Sequence, residues 1–264
     1  MRAEELIKTG QVKEALAALT EEVRNNPSDA PLRTFLFQLL CIDGQYQRAL
    51  TQLTVVQELD TITMAMAKTY QQVIQCEMLR EAIYKGEKTP LIFGEPSAWV
   101  APLLESLKLE GQGHSAKAEA MRQGAYEDIP TVSGSINGES FEWIADADSR
   151  TGPFMEGIID GRYFWIPFQC IAHIKISEPE DLRDLIWLPC EFHWTNGGDA
   201  VGFIPARYPE SGRDEDPLIQ LGRKTDWVQL GEQSYAGRGQ KLLTTDENDY
   251  PLLSVREITL TQQT

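Results

Sequence analysis

Leu6-Ile-Lys-Thr-Gly10-Gln-Val-Lys-Glu-Ala15-Leu-Ala-Ala-Leu19 and Leu40-Cys-Ile-Asp-Gly44-Gln-Tyr-Gln-Arg-Ala49-Leu-Thr-Gln-Leu53 are two copies of one pattern, offset by 34 residues. That offset is the tetratricopeptide period. The shared positions have physical roles. Gly10 and Gly44 stand where a turn between antiparallel helices calls for positive φ. Ala15 and Ala49 let the second helix of each pair approach the first closely. Leu19 and Leu53, one turn on, fill the gap between the helices. Pro27 ends the second helix and turns the chain into the next pair.

Outward from this core the match weakens. Phe37 stands where the repeat takes a small residue, Thr61 where it takes proline, and Met78 where a third glycine is due. Thr63 to Tyr84 therefore predicts one long helix stacked on the second pair. Two pairs and a helix are few for a free-standing solenoid, so a neighbour must cap the open end. After the turn-rich segment from Gly86 to Pro96, two more helices are predicted. One runs from Ser97 to Leu109, with Pro102 in its first turn or kinking it. The other runs from Ser115 to Arg122, closed by Gly124. A partner's helix or extended peptide is expected on the concave face of the repeats.

Beyond Ile129-Pro130 the texture changes to short aromatic and β-branched runs. These are Phe141-Glu-Trp-Ile144, Arg162-Tyr-Phe-Trp-Ile166, His173-Ile-Lys-Ile176 and Glu191-Phe-His-Trp-Thr195. Asn137-Gly138, Asp160-Gly161 and Asn196-Gly-Gly198 separate them, and the first reads as a hairpin turn. Glu178 to Leu185 predicts one or two helical turns, and Leu252 to Thr259 a closing strand. The fold class that follows is α+β with two domains. Residues 1–125 form a tetratricopeptide-like helical domain packed on a β-rich domain of mixed topology, residues 126–264.

Charge narrows the partners. The net charge is −16, which disfavours nucleic acid and anionic membrane surfaces. Met1 to Ala125 carries 13 basic and 16 acidic residues of the totals of 24 and 40, so a net of −13 belongs to the rest. Such a half can steer a basic partner surface. No signal-peptide core or run of membrane-spanning length is present, and Cys41, Cys76, Cys170 and Cys190 are too sparse for a disulfide scaffold. A cytoplasmic protein is expected.

Chemical constellations are weak. Cys170-Ile-Ala-His173 and Cys190-Glu-Phe-His193 could supply four zinc ligands. They lie in apparent strands, however, where residues three apart point to opposite faces. Asp146-Ala-Asp148-Ser-Arg150 opens like a calcium loop. It then puts a cation at a ligand position, Thr151 where the turn needs glycine, and Gly157 where the bidentate glutamate belongs. A salt-bridged turn, Arg150 on a carboxylate, fits better. No nucleophile elbow and no phosphate loop occur. Neither cofactor, metal nor catalytic residue is assigned.

Three stretches carry a resemblance. They are Phe141-Glu-Trp-Ile-Ala-Asp-Ala-Asp-Ser-Arg-Thr-Gly-Pro153 continuing to Glu156, then Gly161-Arg-Tyr-Phe-Trp-Ile-Pro167 with Asp181-Leu-Arg-Asp-Leu-Ile-Trp187. The third is Pro205-Ala-Arg-Tyr-Pro209, with Thr225-Asp-Trp227 and Gly237-Arg-Gly-Gln240. Together they resemble the ImpE/SciE family, accessory proteins encoded with bacterial type VI secretion systems, from the leading repeats to Arg256. The resemblance implies a non-enzymatic adaptor that engages a helix of the small sheath subunit and influences sheath recycling by its AAA+ unfoldase. The rival readings are a general repeat-type co-chaperone and a metal-dependent hydrolase. Trp143, Asp146, Asp148, Arg150, Tyr163, Trp165, Asp184, Trp187, Arg207 and Tyr208 are expected to form one surface or its supporting shell. Arg150 and Arg207 are the expected bidentate partners for carboxylates.

Overall fold

The computed structural model describes residues 2–261. Helices α1 (Arg2–Lys8), α2 (Val12–Asn25), α3 (Ala30–Ile42), α4 (Tyr46–Leu59) and α5 (Met64–Tyr84) build the repeat region. Gly10 and Gly44 adopt φ of +79° and +68°, so both helix pairs turn through a left-handed residue. α3 starts on a side-chain cap, Asp29 accepting from the Leu32 amide at 2.9 Å, with Pro31 in its first turn. Phe37, the oversized repeat residue, is fully buried with its ring 5.9 Å from Tyr70 of α5. Tyr70 in turn lies 6.2 Å from Trp187 and 5.5 Å from Phe203. The large side chain thus extends the helix stack toward the second half of the chain.

β1 (Leu91–Ile92), α6 (Val100–Gly111) and α7 (Ser115–Tyr126) follow. α6 begins later than the sequence predicts, because Ser97 to Trp99 form a turn in which the Val100 amide donates to the Ser97 carbonyl at 3.0 Å. α7 runs through Gly124 instead of closing there. Buried Arg122 is held by the Ser106 hydroxyl at 3.0 Å and Glu110 at 3.3 Å, and Ala125 is buried as well. That packing carries the helix across a residue of poor propensity.

The second half contributes β2 (Gly134–Ile136), β3 (Glu139–Phe141), β4 (Ile144–Asp146), β5 (Phe154–Ile159), β6 (Arg162–Pro167), β7 (Ile171–Ile176), β8 (Trp187–Trp194) and β9 (Asp199–Pro205). A short α8 (Pro217–Gln220), β10 (Thr225–Gln229), β11 (Tyr235–Gly239), β12 (Leu242–Thr245), β13 (Asp249–Pro251) and β14 (Glu257–Leu260) complete it. The main sheet has nine strands in the order β1-β6-β5-β9-β8-β7-β14-β2-β3, antiparallel except where β1 joins β6. The hairpin turns Asn137-Gly138 and Asp160-Gly161 have all four φ values between +49° and +86°, the geometry that matches strand twist. β13-β12-β4 and β10-β11 form two smaller sheets.

Two predicted elements change form. Glu178 to Leu185 keeps only a 3-10 turn, Leu182–Leu185, opened by a reciprocal capping box between Asp181 and Asp184. The tail strand is Glu257–Leu260, and it lies inside the sheet between β7 and β2 instead of at an edge. Leu252–Ser254 turn as a 3-10 helix before it.

Alternation along β5 explains how the core divides. Phe154 and Ile158 face the helices, in one apolar cluster with Phe37, Tyr70, Ile74 and Trp165. Met155 and Ile159 face away, in a second cluster with Ile166, Leu188, Phe192, Ile204 and Ile258. The sheet is therefore apolar on both faces. The repeats receive their cap here. Leu182, Leu185, Trp187 and Phe203 pack against the cluster that holds α3 and α5. A depression is lined by Glu4, Pro31, Phe35 and Gln38 on one side and by Pro179, Asp181, Leu182 and Leu185 on the other. Among the described residues no helix is long and apolar enough to cross a membrane.

Candidate functional site

The segment after β4 is built from carboxylate turns. Asp146 accepts from the Asp148 amide at 2.9 Å, and Asp148 accepts from the Arg150 amide at 2.9 Å. The Asp146 amide donates to the Gly152 carbonyl at 2.7 Å, closing the loop. Both carboxylates then point inward. Asp148 holds the Arg150 guanidinium through Nε at 2.9 Å and Nη2 at 2.6 Å, and receives the Gly237 amide at 2.9 Å. The predicted salt-bridged turn is present.

Asp146 also leads into a buried ionic chain. It pairs with Lys241 and accepts from the Tyr208 hydroxyl at 3.2 Å. Lys241 reaches Glu156 at 2.6 Å, and Arg80 of α5 grips Glu156 with Nε at 2.6 Å and Nη2 at 2.9 Å. Arg80 further donates to Glu77 at 2.8 Å and to the Arg207 carbonyl at 3.0 Å. Trp187 donates to Glu77 at 2.9 Å; Tyr163 donates to Glu156, and Trp165 donates to the Tyr163 hydroxyl at 2.7 Å. Tyr84 and Thr151 share a hydrogen bond of 2.7 Å, with the Arg150 guanidinium 4.8 Å from the Tyr84 ring centre. Glu77, Asp146, Asp148 and Glu156 are thus met by Arg80, Arg150 and Lys241, with the Arg207 charge near Glu77 as the fourth cation. Charge balances inside, where an unpaired ion would be costly.

The electrostatics set an acid response. Burial raises a carboxyl pKa, but Arg80 and Lys241 overcome it and hold Glu156 well below the usual carboxylate range. Asp148 is lowered too, burial being outweighed by Arg150. Asp146 is raised, burial prevailing over Lys241. Stability contributed by the two depressed groups is complete above about pH 4.3 and is lost as pH falls below their unfolded values. The raised value of Asp146 works in the opposite sense and offsets part of that loss. Urea midpoints measured from about pH 4.3 down to about pH 2.5 should therefore fall, and the slope should shrink by roughly one proton in Glu156→Gln. Equal slopes in the two proteins would refute the assignment.

Arg207 has a different task. Its guanidinium donates to the carbonyls of Cys41 at 3.1 Å, Ile42 at 3.0 Å, and Gln220. It therefore caps the C-terminus of α3, where backbone carbonyls lack helical partners. Beside it, a Cβ on Gly212 would lie 2.8 Å from the Gly44 nitrogen, so the second half closes directly on the repeat turn. Arg213 reaches Glu81 of α5 at 2.7 Å.

Of the residues singled out by sequence, Asp146, Asp148, Tyr163, Trp165, Asp184, Trp187, Arg207 and Tyr208 are buried. Arg207 binds carbonyls of its own chain and Arg150 a carboxylate of its own chain, so neither side chain is presented to another protein's carboxylate. Asp184 accepts from the Glu180 and Asp181 amides, apart from the ionic chain. Trp143 is the one that opens to solvent, at 37% exposure. Glu77, Arg80 and Lys241, which the sequence reading passed over, sit at the centre. Val73, Ile74, Glu77, Arg80 and Tyr84 recur at helical spacing, so two charges inside an apolar stripe were the available signal.

Trp143 borders an apolar cleft of about 340 Å³. Its walls come from Trp99, Ile129, Pro130, Val132, Pro153 and Phe168, and Tyr126 lies across its rim with its hydroxyl donating to the Ser149 carbonyl at 2.7 Å. The cysteine and histidine pairs lie elsewhere. Cys190 faces the second apolar cluster, while His193 projects from the opposite face to Asp199 at 2.6 Å. His173 pairs with Glu257 at 2.8 Å.

A protein-family profile described as ImpE protein matches residues 138–259. Over 258 residues the chain is 46% identical to a Pseudomonas aeruginosa protein named Type VI secretion system accessory component TagJ, spanning 98% of this chain and 90% of that protein. The fold is similar to the crystal structure of protein VPA1032 from Vibrio parahaemolyticus, with a TM-score of 0.92 at 26% identity. That likeness spans 100% of this chain and 98% of the other.

Proposed function

The chain belongs to the ImpE family, and on that premise we propose that it is a type VI secretion accessory component working in the cytoplasm as an adaptor, without catalysis. In this reading it binds a helix of the small sheath subunit and modulates recycling of the sheath by the AAA+ unfoldase. The observation that carries the proposal is the likeness to the Pseudomonas aeruginosa accessory component, which runs through the helical repeats as well as the β-rich half. Short helical repeats suit capture of a partner segment, and the apolar cleft at Trp143 offers a second apolar surface. Residues 1–125 supply the repeats and residues 126–264 the part that fixes their shape. Trp143 is the contact residue, Asp146, Asp148, Arg150, Tyr163, Trp165, Trp187, Arg207 and Tyr208 are its supporting shell, and Asp184 holds the separate turn at Asp181.

Calorimetric titration with the N-terminal helix peptide of the small sheath subunit from the same genome tests this. Saturable binding that persists in moderate salt is expected. If neither that peptide nor the intact subunit binds, the sheath helix is not the partner, and the unfoldase becomes the one to titrate. Equal competition by unrelated amphipathic peptides would favour a co-chaperone.

A further inference from the structure

We propose that the cleft beside Trp143 is a docking site for one or two large apolar side chains of a protein segment that carries Lys or Arg on either side of them. The inference rests on the adaptor reading, in which Trp143 is the contact residue, and names what that contact takes; its test separates failure of this site from failure of the sheath assignment.

The interior of the cleft selects an apolar anchor. At about 340 Å³ it lies at the lower end of ligand-pocket volumes, roughly 300–1,000 Å³, so it admits side chains and not a whole helix. Its charged, amide and serine side chains are already engaged. Asp146 is paired with Lys241, Gln169 donates to the Ser97 hydroxyl at 3.1 Å, and the Ser149 hydroxyl accepts from the Tyr235 amide at 3.0 Å. Little remains inside to bind a charged or strongly polar group, whereas Trp143, Phe168 and Ile129 offer apolar area. Trp143 is also held in place. The Asp246 carboxylate accepts from the Glu142 amide at 2.7 Å and the Trp143 amide at 3.3 Å.

The rim selects the flanks. Glu127 and Asp128 immediately precede the lining residue Ile129, Glu142 immediately precedes Trp143, and Asp246 and Glu247 follow the strand that brings Thr244 to the wall. All five carboxylates are exposed. Among the described residues, no lining position is Lys or Arg, and Arg150, the cation that follows the lining Ser149, is turned onto buried Asp148. An apolar hole inside a one-sign rim gives affinity from the anchor, and orientation and encounter rate from the charge. A segment with acidic flanks meets repulsion at the same rim.

Three helix-forming peptides test this against the full chain by fluorescence anisotropy. One carries a Leu/Phe anchor with Lys on both sides, its twin has Glu in place of Lys, and a third keeps Lys but has Ser at the anchor. The Lys-flanked peptide should bind at least about tenfold more tightly than its Glu twin at low salt, the gap narrowing as salt screens the rim. The Ser peptide and a Trp143→Ser protein should each lose roughly tenfold or more. In Glu127→Lys/Asp128→Lys/Glu142→Lys the preference should invert toward the Glu-flanked peptide. These three positions are exposed, so the reversal leaves the core intact. Equal binding of the Lys and Glu twins, unchanged binding of the Ser peptide, or no binding of the Lys-flanked peptide each overturns the proposal. Sheath-subunit binding that ignores Trp143 and the rim would leave the adaptor reading standing while removing this site.

Discussion

An Arg80→Met protein is expected to lose about 3–5 kcal/mol of unfolding free energy, the penalty for stranding buried charge when one partner is removed. Arg80 is 1% exposed and is the one cation that touches both Glu77 and Glu156. With methionine in its place, Glu77 retains the Trp187 indole and Glu156 retains Lys241 and Tyr163. The interior then holds one negative charge too many. Arg80→Lys restores the charge but not the fork that meets both Glu156 oxygens, so an intermediate loss is expected. Urea denaturation of the full chain measures both variants. A loss below about 1 kcal/mol in Arg80→Met, the size of an exposed pair, would mean that the chain of ions does not hold the helices to the sheet.

Arg207→Met should weaken the protein by a different route. It removes the guanidinium donor from the carbonyls of Cys41, Ile42 and Gln220. The Cys41 carbonyl keeps the Gly44 amide at 3.2 Å; the Ile42 and Gln220 carbonyls lose their donor at about 1–3 kcal/mol each, so a combined loss of roughly 2–6 kcal/mol is expected. The damage should be local to the turn that joins α3 to α4, since that is where the second half meets the repeats. Hydrogen exchange at the amides of Asp43, Gly44 and Gln45 should accelerate ahead of the sheet. Unchanged protection there, with an unchanged melting temperature, would show that Arg207 does not cap α3.

The part of the fold visible in sequence was the part made by local rules. Gly10 and Gly44, 34 residues apart, marked the helix turns because few other residues tolerate positive φ. Asn137-Gly138 marked a hairpin for the same reason. The helix ends were less legible. α7 passes Gly124 because Arg122 and Ala125 are packed, and packing at a distance outweighs a propensity of about 1 kcal/mol. The last strand read as a closing strand, yet its place between β7 and β2 depends on long-range pairing that no local pattern encodes.

The candidate site divides similarly. The stretch from Phe141 to Pro153 was recognisable as a signature, and a pair between Arg150 and one of its two neighbouring carboxylates was predictable; the structure makes it Asp148. The depth of these residues was not. Whether a charged side chain faces water or a partner across the core depends on residues far away in the chain, as Arg80 and Glu156 or Lys241 and Asp146 show. Composition likewise showed an acidic second half, and only the folded chain brought Ile129, Trp143 and Thr244, the near neighbours of Glu127, Asp128, Glu142 and Asp246 in sequence, to one apolar cleft.

By itself, then, the sequence determined the helical repeats, the strand-rich second half and the family, because turn glycines, periodicity and signature residues act within a few positions of one another. Tertiary structure alone decided that most of the signature residues are buried, that the repeats are closed by the sheet, and that Trp143 opens to solvent. Burial and charge pairing are set by distance in space, and the side chains that decide them are brought together only when the chain is folded.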